Sequence, residues 1–202
     1  YNVSDFSQNL VNNGRIAVIN TNVTREGSAR DANVSAISSS LFSKDRDYNL
    51  QTECKLSTIM DNGTTTFGHN FFNYFGKVQG KWTYGTWYYE GSDTYDPNDL
   101  GFLCNNNKRG VGAELSWNGY KPKGRFLRRW SSVSMEYEEL FFPRLFNYFS
   151  VYGKYNFTFK NFMTCGLNAN SSPFGSVDHF ESRQFGIPLN FDPNVKVGGW
   201  IS

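Results

Sequence analysis

Residues 145–159 (LFNYFSVYGKYNFTF) alternate between two kinds of side chain along almost their whole length. The odd positions are apolar, with Asn147 and Gly153 as exceptions, and the even positions carry tyrosines and polar residues apart from Phe146. A period of two predicts a β-strand with one apolar and one polar side. At roughly 3.3 Å per residue the segment would extend about 50 Å, whereas most strands of globular proteins stop after about three to ten residues. A strand of this length can cross a lipid bilayer.

The same alternation recurs along the chain. It is clear at 48–58, 111–118, 127–137 and 161–170, and weaker at 15–23, 31–40, 71–79, 82–90 and 195–202. No segment sustains apolar residues at intervals of three and four, the pattern of an amphipathic helix. We therefore expect an all-β protein with essentially no helix. At about twenty residues for each strand and its connection, the chain would form roughly ten strands, within the range of closed membrane barrels.

Two architectures contain alternating strands: a soluble sandwich with its apolar sides inward, and a membrane barrel with its apolar sides outward. The chain is polar on average, with a mean hydropathy of −0.54, although 18% of its residues are aromatic. A barrel combines a polar lumen with aromatic girdles that flank its apolar band. Aromatic residues do cluster near predicted strand ends: Phe71, Phe72, Tyr74 and Phe75; Trp82, Tyr84, Trp87, Tyr88 and Tyr89; Phe141, Phe142, Phe146 and Tyr148. Strand length and these clusters favour an antiparallel transmembrane (outer-membrane) β-barrel, or a portion of one.

The net charge bears on the possible partners, and the chain ends bear on the extent of the domain. The net charge is +2 with mixed signs, which indicates no nucleic-acid partner. No apolar run reaches the eighteen or so residues of a spanning helix. The chain starts at Tyr1 without a signal peptide, which export would require, and it stops at Ser202 inside an apparent strand. We expect residues 1–202 to form a single β-barrel region that is a piece of a longer barrel.

Residues with catalytic or metal-binding potential are sparse. Cys54 and Cys165 project from apolar sides of predicted strands, Cys104 lies in a loop, and none has a second Cys or a His at ligand spacing. His69 and His179 stand far apart in the sequence. Neither a zinc site nor a Cys/His nucleophile is indicated. We expect no catalytic residue, no cofactor and no enzymatic activity.

The predicted loop 91–109 gathers oxygen ligands around a proline. They are Asp93, Asp96, Asn98 and Asp99. Ca²⁺ prefers carboxylates and carbonyls from flexible loops, so a calcium-type site is one interpretation. The spacing differs from that of a twelve-residue calcium loop, which favours the alternative of a proline turn with Asx caps.

A second predicted loop, 170–194, is longer than most connections in compact folds. It carries Asp178, His179, Glu181 and Arg183 close together. Hydrolase triads assemble in space from distant segments, so local clustering is weak support for one. A solvated charged loop, or an ion pair between Arg183 and a neighbouring carboxylate, is the favoured interpretation.

The polar sides of the predicted strands carry charges of both signs. They are Glu53, Lys55, Lys77, Glu114, Arg128, Glu136, Glu138, Lys154 and Lys160. In a barrel these residues would line the lumen, where we expect cross-strand ion pairs. A wide, selective pore would more often show segregated charge.

Three segments stand out in the chain: YDPNDLGFLCNNNKRGVGAELSWNGYKPKGRF (95–126), FKNFMTCGLNANS (159–171) and HFESR (179–183). They resemble the DUF5916 family, and NNGRIAVINTNVTREGSARDANVSA (12–36) is similar to the family's early barrel strands. The resemblance covers about residues 12–185, and NDLGFL and FESR are its most specific pieces. It implies a large outer-membrane β-barrel protein of Bacteroidota, often with an N-terminal domain similar to family 9 carbohydrate-binding modules. It carries over no catalytic residue.

The expected function is that of a non-enzymatic outer-membrane β-barrel protein, in glycan or nutrient handling or as a component of an outer-membrane assembly. Its partners would be membrane lipid or lipopolysaccharide, and other outer-membrane proteins or glycans. The alternative is a soluble secreted β-sandwich that binds or cleaves polysaccharide, with Trp82, Trp87, Tyr88 and Tyr89 as a sugar-stacking platform. Dependence on detergent distinguishes the two.

Overall fold

The computed structural model describes residues 1–27, 29–99, 105–181 and 187–202, and these are almost entirely β-strands. The strands are β1 (Asn2–Asn9), β2 (Arg15–Val23), β3 (Asp31–Phe42), β4 (Tyr48–Asp61), β5 (Thr64–Lys77), β6 (Trp82–Gly91), β7 (Lys108–Gly119), β8 (Phe126–Glu139), β9 (Phe146–Phe159), β10 (Thr164–Ser172), β11 (Ser176–Asp178), β12 (Leu189–Phe191) and β13 (Asn194–Ile201). A single 3-10 turn, Val11–Asn13, is the helical element of the described chain. The prediction of an all-β fold with essentially no helix is confirmed.

No helix in the described residues is long and apolar enough to span a membrane.

The strands form one antiparallel sheet in which almost every strand pairs with its neighbours in sequence. The order is β1-β2-β3-β4-β5-β6-β7-β8-β9-β10-β13, and the short β11 pairs with β12 and β9. Among the described strands, β1 and β13 stand at the two ends of this order, so the pairing does not close. The pairing therefore establishes an antiparallel sheet and does not show a closed barrel.

The observed strands differ from the predicted ones where alternation is weak. The alternation does not predict β1, because Asn2–Asn9 contains only Val3 and Phe6 as apolar residues. Strand β5 begins at Thr64 and not at the predicted residue 71. The prediction misses its first part because 64–70 (TTTFGHN) has no period of two. Strand β10 begins after the predicted residue 161, because the chain turns there with Phe162 at a positive φ of 68°.

The tightest connection in the fold is the two-residue turn between β4 and β5. Asn62 and Gly63 have φ values of 48° and 77°, and an Asn-Gly pair with positive φ at both positions matches the right-handed twist of a hairpin. The turn fixes the register of the two long strands, because loop length and turn type decide which residues lie opposite each other.

The chain divides into two compact units. Unit 1 comprises Tyr1–Phe75, Trp87–Gly110 and Glu139–Leu145, and unit 2 comprises Gly76–Thr86, Val111–Glu138 and Phe146–Ser202.

In unit 1 the apolar side of the strands is the exposed one. Residues directly opposite each other in paired strands share a side, and one such row is Phe6, Val18, Ile37 and Cys54. Large apolar residues on this side are exposed: Ile16, Val18, Ile37, Leu50, Leu56 and Met60. The other side is buried: Ala17, Ala32, Asn49, Ser57 and Ile59. The contrast is sharpest between adjacent residues, because Leu56 is 61% exposed and Ser57 is 1% exposed.

Unit 2 repeats this arrangement. Cys165 lies opposite Phe157 of β9 and Ile201 of β13, and Leu167 continues the same side. This side is exposed at Leu167, Val195, Val197 and Ile201, although Cys165 itself is buried. In β7, Leu115 is 50% exposed whereas the adjacent Ser116 is 8% exposed. In both units, therefore, polar residues face the packed side and apolar residues face the surroundings.

Candidate functional site

A cavity of about 410 Å³ opens on the polar side of unit 1. Two rows of opposed residues form its floor. One row is Arg15, Ser40 and Gln51, and the other is Ala17, Ser38 and Glu53. Phe72 of β5 completes the lining. The strand register thus brings a cation, a carboxylate, an amide and two hydroxyl groups to one surface.

The chemistry of this cavity suits a neutral, hydroxyl-rich molecule. The Glu53 carboxylate lies 2.9 Å from Lys55 Nζ, so its charge is partly balanced. The Gln51 amide donates to Asn49 Oδ1 at 2.7 Å, which orients it. A few positioned polar groups beside one aromatic ring are typical of small-molecule sites. Glu53 is the one carboxylate of the lining, whereas most glycoside hydrolases use two.

Residues 92–99, in the connection between β6 and β7, fold onto this same polar side. The backbone amide of Asp96 donates to Ser57 Oγ at 3.2 Å, and Thr94 Oγ1 donates to the carbonyl of Phe67 at 2.7 Å. Tyr95 is only 4% exposed. Its pKa is raised because burial disfavours the phenolate and because the charge of Glu53 repels it. The described part of the loop therefore lies over the polar side beside Ser57, where Tyr95 feels the charge of Glu53.

Gly68 of β5 makes this close docking possible. A Cβ at that position would lie 2.3 Å from the Cα of Tyr95 and 2.5 Å from the carbonyl oxygen of Thr94. Real Cβ atoms do not approach backbone so closely, so a side chain here would displace the loop.

Two arginines hold the loop from the connection between β2 and β3. Arg25 Nη2 lies 2.8 Å from Asp99 Oδ1, and Arg30 Nη2 lies 2.6 Å from Asp96 Oδ2 and 2.8 Å from Asp99 Oδ2. Burial would raise the pKa of Asp96, but the backbone hydrogen bond from Asn98 and the contact with Arg30 outweigh it and lower that pKa. The hydrogen bond with Asp96 is the main reason that the pKa of Arg30 is raised.

The residues of the predicted calcium-type loop are used differently. Asp96 and Asp99 contact the arginines, and the Asn98 amide donates to Asp96 Oδ1 at 2.9 Å, which is the Asx turn of the alternative interpretation. The backbone carbonyl of Asp93 accepts from Asn106 Nδ2 at 2.7 Å. In the described parts of the chain, no group of three or more His, Cys, Asp or Glu residues has metal-binding geometry. The calcium site stays a prediction without structural support.

In the segment 170–194, Asp178 caps a turn. Asp178 Oδ1 accepts from the amides of Phe180 and Glu181 at 2.8 and 3.0 Å, and His179 Nε2 lies 3.1 Å from the carbonyl oxygen of Phe146. Arg183 lies outside the described residues, as do Cys104, most of NDLGFL and the end of FESR. Cys54 and Cys165 are free thiols.

The sequence did not reveal a polar network in unit 1, near the ends of β5 and β6. His69 Nε2 lies 3.1 Å from Glu90 Oε1, and the Tyr88 hydroxyl donates to Glu90 Oε2. Arg109 Nε donates to Glu139 Oε1 at 2.6 Å. Finding the contacts of His69 with Glu90 and of Arg109 with Glu139 requires the register between consecutive strands, β5 with β6 and β7 with β8. Only the spacing of two between Tyr88 and Glu90, on one side of β6, is visible in the sequence.

The aromatic residues of β6 do not form one platform. Consecutive residues of a strand point to opposite sides, so Tyr88 lies on one side while Trp87 and Tyr89 lie on the other. A sugar-stacking surface built from all of Trp82, Trp87, Tyr88 and Tyr89 is excluded by this geometry.

The fold and the cavity define an all-β protein whose antiparallel strands expose their apolar side and pack their polar side. The chain matches the model of the domain of unknown function DUF5916 over residues 1–202 and belongs to that family. No curated protein and no solved structure matches it.

Replacing Gly68 with Ala should undock the described part of the loop 92–107, because the added methyl group overlaps loop backbone. Overpacking of this kind costs about 1–3 kcal/mol. Hydrogen exchange of the Asp96 amide, read by mass spectrometry of the loop peptide, should accelerate accordingly. The matched control is Gly153→Ala, where the new Cβ would meet its nearest atom, the Ser132 carbonyl oxygen, at 4.0 Å. Equal protection in both variants would contradict the docking.

Replacing Arg30 with Gln should loosen the same loop through its ion pairs. These side chains are partly exposed, so we discount their contribution to about 1 kcal/mol. Chymotrypsin cleavage after Tyr95 should therefore rise about fivefold if opening is fast relative to cleavage. Arg46→Gln, in the exposed connection 43–47, provides the control and should leave cleavage unchanged. An unchanged rate in the Arg30 variant would exclude the ion pairs as the fastening.

Proposed function

We propose that this chain forms part of the wall of an outer-membrane β-barrel, without enzymatic activity, in a protein that handles glycans or other polar nutrients. The observation that carries the proposal is the inverted exposure of both units. Leu56 beside Ser57 and Leu115 beside Ser116 place the large apolar side chain outward and the small polar one inward. An outer-membrane barrel distributes residues in this way, because its surroundings are lipid and its lumen is wet.

Water is a poor solvent for such a surface. Single exposed apolar residues are normal in soluble proteins, but contiguous exposed apolar patches mark an interaction surface or a membrane. In unit 1 the exposed apolar residues follow opposed rows across β1 to β4. A lipid surrounding stabilises the whole of this side, whereas a small protein partner would cover only part of it.

Strand lengths support the same proposal. Strands β4, β5, β8 and β9 each contain 14 residues, and a tilted strand needs about 9–11 residues to cross the hydrocarbon region. Every second connection, at 10–14, 43–47, 78–81, 120–125 and 160–163, is short. Of the alternate connections, 92–107 and 173–193 (which contains β11 and β12) are long, and 24–30, 62–63 and 140–145 are short. Outer-membrane barrels combine short periplasmic turns with longer external loops.

The nutrient-handling part of the proposal rests on the polar side. In a barrel this side would face the lumen, which would contain the cavity of Arg15, Gln51 and Glu53, and residues 92–99 would narrow the lumen beside Ser57. A narrowed lumen with a polar cavity favours binding or filtering of a solute over free diffusion. Residence in Bacteroidota and an N-terminal carbohydrate-binding module are what the family resemblance implies.

The proposal requires that the outer edges of β1 and β13 be completed. Backbone donors and acceptors without partners cost several kcal/mol each in hydrocarbon. The two edges must therefore pair with further strands or with each other in the membrane.

Extraction from cells tests the proposal directly. We expect the full-length protein to leave the membrane fraction only with detergent and to migrate faster in gels when unboiled, as folded barrels resist denaturation by the gel detergent. A protein that is recovered without detergent and shows no heat-dependent shift would overturn the barrel and leave the soluble sandwich as the better explanation.

The variant Leu56→Arg distinguishes whether lipid or water surrounds this side of the strand. In a bilayer, Leu56→Arg should lower the free energy of unfolding by about 2–4 kcal/mol if the residue lies near the midplane. In water the cost would be within about 0.5 kcal/mol, because substitutions at exposed sites are usually neutral. Gln51→Arg, on the polar side of the same strand, is the control and should cost far less in either case. Urea unfolding from lipid vesicles measures both, and equal penalties would contradict the assignment of sides.

A further inference from the structure

A second cavity, of about 440 Å³, lies in unit 2 where β7 ends and β8 begins. Its lining includes Lys81, Trp117, Tyr120, Lys121, Lys123 and Arg129. Four of these side chains are cationic and no lining residue is acidic, although the whole chain carries a net charge of only +2. Such a concentration of one sign, within a described segment, indicates an anionic ligand.

The cations are organised around one aromatic ring. Lys81 Nζ lies 6.0 Å from the centroid of the Trp117 ring, and Arg129 Cζ lies 5.2 Å from it. Arg129 also lies 5.7 Å from the Phe126 ring. Cation–π contacts of this kind hold charged groups in place at a partly exposed surface.

Backbone and hydroxyl contacts tie the neighbouring turn to this cluster. The Asn118 amide donates to the Lys81 carbonyl at 2.7 Å, and the Tyr120 hydroxyl donates to the Gly80 carbonyl at 3.3 Å. Lys81 and Arg129 are therefore positioned before any ligand arrives, which lowers the entropic cost of binding.

The position of the cluster along the strands identifies the kind of anion. Trp117 is two residues from Leu115, and Arg129 is four residues from Val133, so each pair shares a side of its strand. Leu115 and Val133 are each 50% exposed. An exposed apolar strip thus runs into a group of cations with Trp and Tyr, the residues that membrane proteins place at the level of the headgroups.

We propose that this cavity binds the phosphate of an anionic phospholipid, with the acyl chains lying along Leu115 and Val133. The inference rests on the proposed membrane location. It goes further by naming the lipid class and the residues that select it. Lys121 and Lys123 supply charge to the headgroup, while Lys81 and Arg129 hold the phosphate beside Trp117.

The test is a lipid titration of the full chain in nonionic detergent, with bound lipid counted by native mass spectrometry. Phosphatidylglycerol should bind more tightly than phosphatidylcholine with the same acyl chains, because only the former carries net negative charge. Each lysine near an anionic membrane surface contributes a factor of roughly five in affinity. The double variant Lys121→Gln, Lys123→Gln should therefore bind phosphatidylglycerol roughly 20- to 30-fold more weakly. The double variant Lys44→Gln, Lys196→Gln removes the same charge elsewhere and should bind it normally.

Three results would overturn the site: equal affinity for the two lipids, equal loss in the two double variants, or displacement of phosphatidylglycerol by an equal concentration of glycerol 1-phosphate. The last would indicate a site for a free phosphate and not for a lipid. Failure of the site is distinguishable from failure of the barrel, because a protein that needs detergent yet binds both lipids equally keeps the barrel and loses the site. If the protein is soluble without detergent, the barrel proposal fails. The same titration then shows whether the cavity still prefers phosphatidylglycerol.

Discussion

The register between neighbouring antiparallel strands is the constraint on which the other features depend. It aligns Phe6, Val18, Ile37 and Cys54 in one row, so that the side assigned to one residue is passed to every strand that pairs with it. A slip of one residue would exchange the two sides of a strand. The exposed apolar side and the polar cavity would then both be lost, because they are the two faces of the same alternation.

The polar side must satisfy its own hydrogen bonds, and the loop 92–107 contributes to this. A buried hydroxyl without a partner costs free energy, and Ser57 Oγ, on a residue that is 1% exposed, accepts a hydrogen bond from Asp96. Gly68 lets the loop backbone approach, and the arginine pairs fasten it. The pH dependence of these ion pairs follows from the lowered pKa of Asp96. Their contribution to stability is present above the ordinary carboxyl pKa of 3.8 and is lost as the pH falls through the lowered value. The docked loop is therefore a property of neutral and mildly acidic conditions.

The sequence predicts most of the strands, because a period of two is a local signal that needs no partner. It misses β1 and the first half of β5, where apolar residues are too few to reveal a period. It also misses β11 and β12, in the predicted loop 170–194, because three residues are too short to show one. It cannot pair Arg30 with Asp96 or Arg25 with Asp99, because 66 and 74 residues separate them. The contact between His69 and Glu90 is also hidden, because it depends on the register between β5 and β6. The site is thus predictable in the types of its residues and not in their partners, since partners depend on register and on loops that fold back.

The charges on the polar side bear on what a lumen of this kind would accept. Glu53 lies 2.9 Å from Lys55 along one strand, the Tyr148 hydroxyl donates to Glu136 at 2.8 Å, and Lys154 Nζ lies 4.3 Å from the Trp130 ring centroid. The expected mixture of positive and negative charges is present. Of these three contacts, the ion pair lies along one strand, and the two that join neighbouring strands each link a charged group to a neutral one. The Glu53–Lys55 pair neutralises charge locally, and rings of charged side chains of one sign are one basis of ion selectivity. If the proposed barrel forms, this mixture of signs, together with the hydroxyls and the one aromatic ring of the unit 1 cavity, would favour an uncharged, hydrogen-bonding solute such as a sugar over an ion.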